Sequence, residues 1–575
     1  MFRYALRRAV VCRLQQHGST SFSSHSLRQV SSIPKRCRDL GRRPLSSTSH
    51  PPSVAVRDGD LSILSRNDTI YALSSAPGRG GIAVIRVSGP GCVDVYRNLC
   101  PTKALPKPRH AVVRTLVEPG PSKNANVVDS DAMVLYFPAP KTVTGEDVLE
   151  LHVHGGTATV KAVLGAIPKT LSDGTIRYAE PGEFTKRAFL NNRLDLAQVE
   201  SLGDTLSAET EQQRRAAVRG TSGELGKTYE AWRAQLLLAR GEIEALIDFS
   251  EDQHFDESPA ALLTNVRQLV DQILQSIQQH KDGSQRNELL RNGIRIALLG
   301  PPNVGKSSLM NQIVGREASI VSPEAGTTRD IVEASLDIRG YLCSFADTAG
   351  IRTAASPSAR DAHVGAVEQE GIRRARKKAA DSDVIIVLAS VETSPEAPPR
   401  LHYDAETLHL ASRAQQSLVV INKCDVLDTP TLTSLIRDFQ HSVLHHIPGL
   451  ATADPLPISC LPAPTPAPVV QTIHQLTERL VQSFSALTAL PEDRQHLLGV
   501  TARQGQLLDA CQRHLEDFAA EAGDGGDEAW EPDVVLAAEH LRLAANQLAA
   551  ITGRGDSGDV EEVLGVIFEK FCVGK

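Results

Sequence analysis

The chain has 575 residues, 41% hydrophobic and 22% charged, with a net charge of −7. That balance belongs to a folded chain of about three or four domains. No run of roughly 18 uncharged apolar residues occurs, which excludes a hydrophobic membrane-spanning helix, and the odd set of nine cysteines, none at metal-ligand spacing, argues against a disulfide framework and for a reducing compartment.

The first fifty residues stand apart. They hold ten basic residues and the single acid Asp39, a balance of +9, so the remaining 525 carry −16. Serine is abundant there, and Phe2, Leu6, Val10 and Leu14 fall on one helical face. An Arg-rich, Ser-rich, acid-poor leader of this kind predicts an organelle transit peptide and linker over 1–57. The alternative is a disordered basic arm. The acidic body excludes RNA binding by bulk attraction, so any RNA contact needs a local basic patch or a partner.

From Asp68 to Glu183 the pattern predicts a mixed-β unit, with strands at Ile82–Val87 and Asp147–Val153 between Gly/Pro turns. Residues 185–290 predict helices, with Leu262, Val266, Leu269, Val270, Ile273 and Ile277 at helical spacing. Over 294–460 short apolar runs at Ile294–Leu299, Tyr341–Ala346, Val384–Ala389 and Leu418–Ile421 predict buried strands of an α/β sheet. A Pro-rich stretch at 461–468 follows, and helical periodicity returns near 490.

Chemistry concentrates in the α/β unit. Gly300-Pro-Pro-Asn303-Val304-Gly305-Lys306-Ser307 follows a predicted strand, and a predicted helix opens at Ser308. Glycines there let backbone N–H groups close around phosphate, Lys306 neutralises the β- and γ-phosphates, and the Ser307 hydroxyl is a Mg²⁺ ligand. Ala325-Gly-Thr327-Thr328 offers a second Mg²⁺ hydroxyl, with Thr328 the candidate. Asp347-Thr348-Ala349-Gly350 ends a strand, with a carboxylate for the metal and an N–H for the γ-phosphate. Asn422-Lys423-Cys424-Asp425 follows the run at 418–421, and Asp425 matches the paired N–H donors of guanine, which adenine lacks. Ser459 follows another strand and is a candidate contact to the guanine O6. These motifs in this order predict a Ras-like P-loop GTPase unit over 291–488. In Ras-like proteins a Gln after the D-x-x-G motif orients the attacking water. Here that position is Ile351, which cannot hydrogen-bond, so hydrolysis needs another group.

The rest of the chain resembles the MnmE (TrmE) family of tRNA-modification GTPases. The blocks that carry the resemblance are Asp68-Thr-Ile70, Pro77-Gly-Arg-Gly-Gly81, Thr144-Gly-Glu-Asp-Val-Leu-Glu-Leu151, His154-Gly-Gly156, Glu180-Pro-Gly-Glu-Phe184, Arg187-Ala-Phe-Leu-Asn191, Leu194-Asp-Leu-Ala-Gln198 and Phe571-Cys-Val-Gly-Lys575. With the basic leader, the chain looks like a mitochondrial member. The resemblance implies a multidomain α/β and α+β fold: an N-terminal mixed-β folate-binding domain (64–184), a discontinuous helical domain (185–290 and 489–575) and an inserted GTPase domain. It implies a homodimer through the N-terminal domain, no membrane insertion, and work in the mitochondrial matrix with a flavin-containing MnmG-type partner on tRNA. The product is a carboxymethylaminomethyl-type or taurinomethyl group on C5 of the wobble uridine.

The implied cofactors are GTP, Mg²⁺, K⁺ and 5,10-methylenetetrahydrofolate or a related tetrahydrofolate. Arg86 and Glu150, charges inside apolar strands, match the folate positions. From the residues alone a solvent-facing or mutually paired role stands beside that one. Arg193 matches a family position that often holds Lys, and Lys575 a terminal lysine near the same pocket. K⁺ stands in the family where an arginine finger would. Asn303 matches its ligand, with Ser322, Glu324 and Thr327 in the following loop, and the nucleotide contacts extend to Ser308. The water-activating carboxylate matches Glu368. The stretch Arg352–Ala366 before it is longer than usual in the family, and Glu370 lies two residues on. Two features read as plain structure: His152 and His154 share a strand face without a third metal ligand in sequence, and Cys572 only formally resembles a prenylation box. In the family that cysteine sits near the folate and dimer region. The alternatives are an organellar ribosome-assembly GTPase, which would ordinarily append a basic RNA-binding module, and a folate-dependent aminomethyltransferase with a regulatory G domain.

Overall fold

The computed structural model describes residues 68–120, 126–171, 175–249, 259–321, 335–345, 376–377, 379–394, 397–461, 472–523 and 533–554, with 567, 571 and 574. In the first sheet the strands at Ile82–Ser88 and Val148–His154 fall where the sequence pattern predicts them. β1 (Thr69–Leu73) and β2 (Ile82–Ser88) pair antiparallel, and α1 (Cys92–Leu99) follows. β3 (Val112–Val117), β4 (Val127–Phe137), β5 (Val148–His154), α2 (Thr157–Ala166) and β6 (Ile176–Tyr178) complete a six-stranded sheet in the order β3-β4-β5-β2-β1-β6. Alternation is visible on β5, where Leu149, Leu151 and Val153 are buried while Glu150 and His152 are half-buried on the opposite face. The buried face packs with α1 and α2 around Ile85, Val87, Val95, Tyr96, Leu99, Leu116, Val134, Leu149, Leu151 and Val163.

Helices α3 (Glu183–Leu190), α4 (Leu196–Ser207), α5 (Glu211–Gly220), α6 (Glu224–Phe249) and α7 (Pro259–Asn292) follow. A capping box starts α4, because the Asp195 side chain accepts from the Gln198 N–H and Gln198 returns the bond.

The second sheet is built from β7 (Ile294–Leu299), β8 (Ala318–Ile320), β9 (Ser335–Ile338), β10 (Tyr341–Phe345), β11 (Val384–Ser394), β12 (Ala397–His402), β13 (Gln416–Asn422) and β14 (Leu456–Pro457). Its order is β14-β13-β11-β7-β10-β9-β8, with β12 against β11. β10, β7, β11, β13 and β14 run parallel, while β9, β8 and β12 run antiparallel to their neighbours. The first eight residues of β11 are all buried, as a parallel strand covered on both faces requires. Covering helices are α8 (Lys306–Arg316), α9 (Ala405–Ala411), α10 (Thr429–Ser442) and α11 (Ile473–Thr488). β8, β9 and β12 were not among the expected strands. They are short or half-exposed, and their partners rather than their own hydrophobicity make them strands.

The last two long helices, α12 (Ala502–Glu521) and α13 (Val534–Thr552), share a core with α6 and α7. Tyr229, Leu236, Ile243, Val270, Ile273, Leu508, Leu515, Phe518, Leu541 and Leu548 meet there. Cross-links bind the two segments. Asn287 Nδ2 donates to the Val500 carbonyl at 3.0 Å and Ser284 Oγ to the Thr501 carbonyl at 3.1 Å. Glu200 accepts from Thr501, Arg503 and Gln504. Among the described residues no helix is long and apolar enough to cross a membrane.

Candidate functional sites

The loop between β7 and α8 is a backbone-built cradle. Gly300 (φ 141°), Asn303 (φ 63°) and Gly305 (φ 100°) all lie in the left-handed region. A Cβ on Gly300 would come within 2.2 Å of the Leu388 carbonyl oxygen, and one on Gly305 within 2.2 Å of Asn422 Nδ2. Only glycine fits either place. α8 begins with no side-chain cap, so its first N–H groups are open to an anion, and the helix dipole favours one. Lys306 Nζ bonds the Gly300 and Pro301 carbonyls at 2.8 and 2.7 Å, folded over the loop it serves. Ser307 and Ser308 are exposed in the first helical turn, and Val304 is buried.

The second wall comes from the ends of β13 and β14. Asn422, only 3% exposed, donates through Nδ2 to the Val304 carbonyl at 2.8 Å and accepts the Cys460 N–H through Oδ1 at 3.3 Å. It ties the phosphate loop to the loop that would read the base. Lys423 is held at φ 60°, a conformation uncommon for a non-glycine residue. Next to it Asp425 accepts from Ser459 Oγ at 2.7 Å, and the Cys424 N–H bonds the Ile458 carbonyl at 3.2 Å. The expected residues Asn303, Val304, Gly305, Lys306, Ser307, Ser308, Asn422, Lys423, Asp425 and Ser459 therefore line the carboxyl ends of β7, β13 and β14. The contact of Gln312 with the Cys460 carbonyl is an addition that no motif announces. Ser322, Glu324, Thr327, Thr328, Asp347, Thr348, Ala349, Gly350, Ile351 and Glu368 lie outside the described residues.

In the first sheet Arg86 and Glu150 are register partners on β2 and β5. Arg86 Nε and Nη2 both donate to Glu150 Oε1, at 3.1 and 2.9 Å, and the two side chains are 20% and 17% exposed. The paired alternative is thus realised, with capacity left over. Glu150 Oε2 lies 3.5 Å from His152 Nε2, and that buried nitrogen makes no hydrogen bond. An open carboxylate oxygen beside an orphaned imidazole nitrogen suits a ring that presents N–H groups and an acceptor, as a pterin does. The Arg86 guanidinium also lies 5.9 Å from the Phe184 ring centroid.

The chain terminus reaches this sheet. Ser74 Oγ donates to the Gly574 carbonyl at 2.8 Å, and a Cβ on Gly574 (φ 94°) would come within 2.2 Å of the Leu73 carbonyl oxygen. Leu73 follows Ala72, the register partner of Arg86. Phe571 packs with Leu196 and Val199. Lys575 and Cys572 lie outside the described residues. Arg193 donates through Nε to the Thr142 carbonyl at 3.0 Å, so its bond goes to the loop before β5 rather than to the Arg86–Glu150 pair.

His154 shares the β5 face with His152, as expected, and its Nδ1 meets Asp129 Oδ1 at 2.9 Å. Burial pushes the Asp129 carboxyl up, but N–H groups of His154 and Asp131 and the His154 ring outweigh it and hold it below its ordinary range. Sequence reasoning missed a partly buried ion network that ties α3 to β6 and to the segments before β1 and β5. Arg187 bonds Asp68, Glu146 and Glu183, and Arg177 bonds Asp68 and Glu183. Burial raises the Glu183 carboxyl, and Arg177 with the Glu180 N–H brings it below the usual value. No local pattern announced this network, because its charges lie in polar stretches such as Thr144-Gly-Glu-Asp147 and Glu180-Pro-Gly-Glu183. The thiols of Cys92, Cys100, Cys343, Cys424, Cys460 and Cys511 are free, and burial pushes those of Cys100 and Cys460 up to about 11, so they are protonated and unreactive at neutral pH.

Two family descriptions match the chain: the GTP-binding protein TrmE N-terminus over residues 69–193 and the MnmE helical domain over 196–572. A tRNA modification GTPase MnmE of Parvibaculum lavamentivorans is 39% identical, covering 88% of this chain and all of that protein. A human mitochondrial 5-taurinomethyluridine-tRNA synthase subunit is 38% identical, and a mitochondrial tRNA modification GTPase of Saccharomyces cerevisiae 33%; each covers 88% of this chain and 93% of the relative.

Proposed function

The chain belongs to the MnmE (TrmE) family of tRNA-modification GTPases, and from that premise we propose how its residues share the work. It is a GTP-hydrolysing enzyme of tRNA wobble-uridine modification. The observation that carries the division of labour is Asn422, which joins the phosphate cradle at Val304 to the base-reading loop at Cys460. Phosphate position and base identity are thereby read as one unit. Asp425 accepts the guanine N–H pair, with Ser459 steadying the carboxylate. Lys306 leaves the Gly300 and Pro301 carbonyls for the β- and γ-phosphates, exchanging neutral acceptors for charged ones.

Mg²⁺, held by Ser307 and Thr328, supplies charge neutralisation at the phosphates when bound. Ile351 cannot orient water, so the reading assigns that task to Glu368, and K⁺ held by Asn303, Ser322, Glu324 and Thr327 would take the place of an arginine finger. Backbone N–H groups of the cradle, with contacts from Asp347 to Gly350, orient the γ-phosphate.

The second site is the face of the first sheet at Arg86 and Glu150, where a tetrahydrofolate one-carbon donor would lie with Glu150 Oε2 facing its N–H groups and Lys575 near the tail. Arg193 would help hold the loop that borders it. In this reading the chain dimerises through the domain at 64–184, its helical domain combines 185–290 with 489–575, and the GTPase domain spans 291–488. It acts with a flavin-containing partner in the mitochondrial matrix, to which the basic leader would direct it. The modification adds a carboxymethylaminomethyl or taurinomethyl group at C5 of the uridine.

Mass spectrometry of wobble uridines in mitochondrial tRNA tests the whole reading. Deletion should leave them unmodified, and wild type but not Lys306→Ala should restore them. Full modification without the gene would end it. The cation assignment has its own check, because hydrolysis should be faster in K⁺ than in Na⁺, and Asn303→Ala should erase the difference.

A further inference from the structure

Three side chains with no part in either site converge between α12 and α13. His514 and Asp517 stand three residues apart on one face of α12, and His540 faces them from α13. One ligand atom from each lies within 4.8 Å of the others. His540 Nδ1 is 4.0 Å from Asp517 Oδ2, and the two imidazole centroids are 6.4 Å apart. Both Nδ1 atoms are shielded from solvent and neither makes a hydrogen bond.

That arrangement is uncomfortable as it stands. Some nine in ten buried polar atoms have a partner, and a buried one without is costly because it has left water for nothing. Here two such atoms sit side by side. The His540–Asp517 separation exceeds hydrogen-bond range, so the carboxylate does not satisfy the ring. The helices cannot simply part. Cys511, Leu515 and Phe518 of α12 and Ala537, Leu541 and Ala544 of α13 are buried in the same core as these histidines' neighbours.

A cation resolves the conflict. Ligands about 2.0–2.2 Å from a tetrahedral zinc stand roughly 3.4 Å apart, so side-chain rotation closing about 1 Å completes the geometry. Asp517 is 59% exposed and has the freedom to move, whereas His540 is 16% exposed and fixed. Two imidazoles and one carboxylate suit a borderline transition ion rather than Mg²⁺ or Ca²⁺, which prefer all-oxygen shells.

We propose that His514, Asp517 and His540 bind one Zn²⁺-type divalent ion per chain, with water as the fourth ligand, clamping α12 to α13. The site bridges α12 and α13, and its task is to lock that helix pair. Ion binding to the folded state alone raises stability by mass action.

The test uses the full-length protein stripped of metal, with Mg²⁺ in excess to occupy the nucleotide site. Zinc titration by calorimetry should show one site, and Co²⁺ should give the visible absorption of a four-coordinate nitrogen–oxygen site. His514→Ala and His540→Ala should each weaken zinc binding at least about tenfold and abolish the Co²⁺ band, with K⁺-supported GTP hydrolysis unchanged. If either variant fails to fold, Asp517→Asn removes a ligand at an exposed position and reads the same affinity. Equal zinc binding by wild type and these variants, or no zinc retained by wild type at micromolar concentration, overturns the site.

Discussion

The phosphate cradle and the Arg86–Glu150 face are both candidate ligand sites on sheets, yet they are made of different material. The cradle is backbone. Three left-handed residues, Gly300, Asn303 and Gly305, two glycines with no room for a Cβ and an uncapped helix start create it within eight residues. The face on the first sheet is side chain. Two charges 64 residues apart meet because β2 and β5 pair in register, and a tail 500 residues from Ser74 closes against β1. A backbone site survives side-chain changes that keep its turns, while a side-chain site depends on each charge individually.

The largest expected effect tests the cradle. Lys306→Ala should lower GTP hydrolysis by about 10²–10³-fold or more, because the developing charge loses a fixed donor. Phosphate release under saturating GTP measures it, and tetrahydrofolate binding to the same variant should be unchanged. Normal turnover would remove the P-loop assignment.

The reciprocal experiment addresses the face. Arg86→Ala and Glu150→Ala should each weaken tetrahydrofolate binding by about 2–5 kcal/mol, the cost of losing one member of a desolvated charged set. GTP hydrolysis in K⁺ should persist in both. Titration calorimetry showing unchanged folate affinity would make the pair structural, and parallel loss of hydrolysis would show that the two sites are not separable.

A third effect belongs to the bundle between them. His280 is buried against Tyr229, whose hydroxyl lies 3.0 Å from Nδ1, and burial, with a smaller contribution from His496, lowers its pKa from 6.5 to about 4. The folded state therefore binds fewer protons than the unfolded state between those values. Stability is full above pH 6.5 and falls as pH drops toward 4, by about 2 kcal/mol between pH 7 and pH 5. Denaturant titrations at the two pH values check this, and His280→Gln should remove that portion. An identical pH dependence in the variant would assign the loss to carboxylates instead.

The smallest effect separates ligand from structure on the face itself. His154 is 63% exposed, while Asp129 keeps its bonds to the His154 and Asp131 N–H groups whatever the ring does. His154→Ala should cost only about 0.2–1 kcal/mol of stability and leave folate binding intact. A large loss of folate affinity would make His154 part of the site.

Legibility in the sequence followed the same divide. β7, β10, β11 and β13 occur where apolar runs placed them, and the turn before α8 is the one its glycines require. In the first sheet only two of six strands were anticipated, at β2 and β5. β6 joins beside β1 through three register pairs, which no local pattern encodes. The helical spacing around Val270 announced α7, whereas its shared core with α12 and α13 depends on burial across the whole intervening α/β unit.

The sequence by itself determined the elements and motifs whose conformation is local: a strand, a turn with positive φ, a helix start, a nucleotide-reading loop. Short-range sterics and the period of hydrophobicity dictate these, and both are written in consecutive residues. The tertiary structure alone decided the Arg86–Glu150 pair, the Asp68–Arg187–Glu146 network, the seat of Gly574 and the meeting of His514 with His540. Each joins residues from separate elements. Their energy comes from burying polar groups together, and only the packed chain specifies which groups share a site.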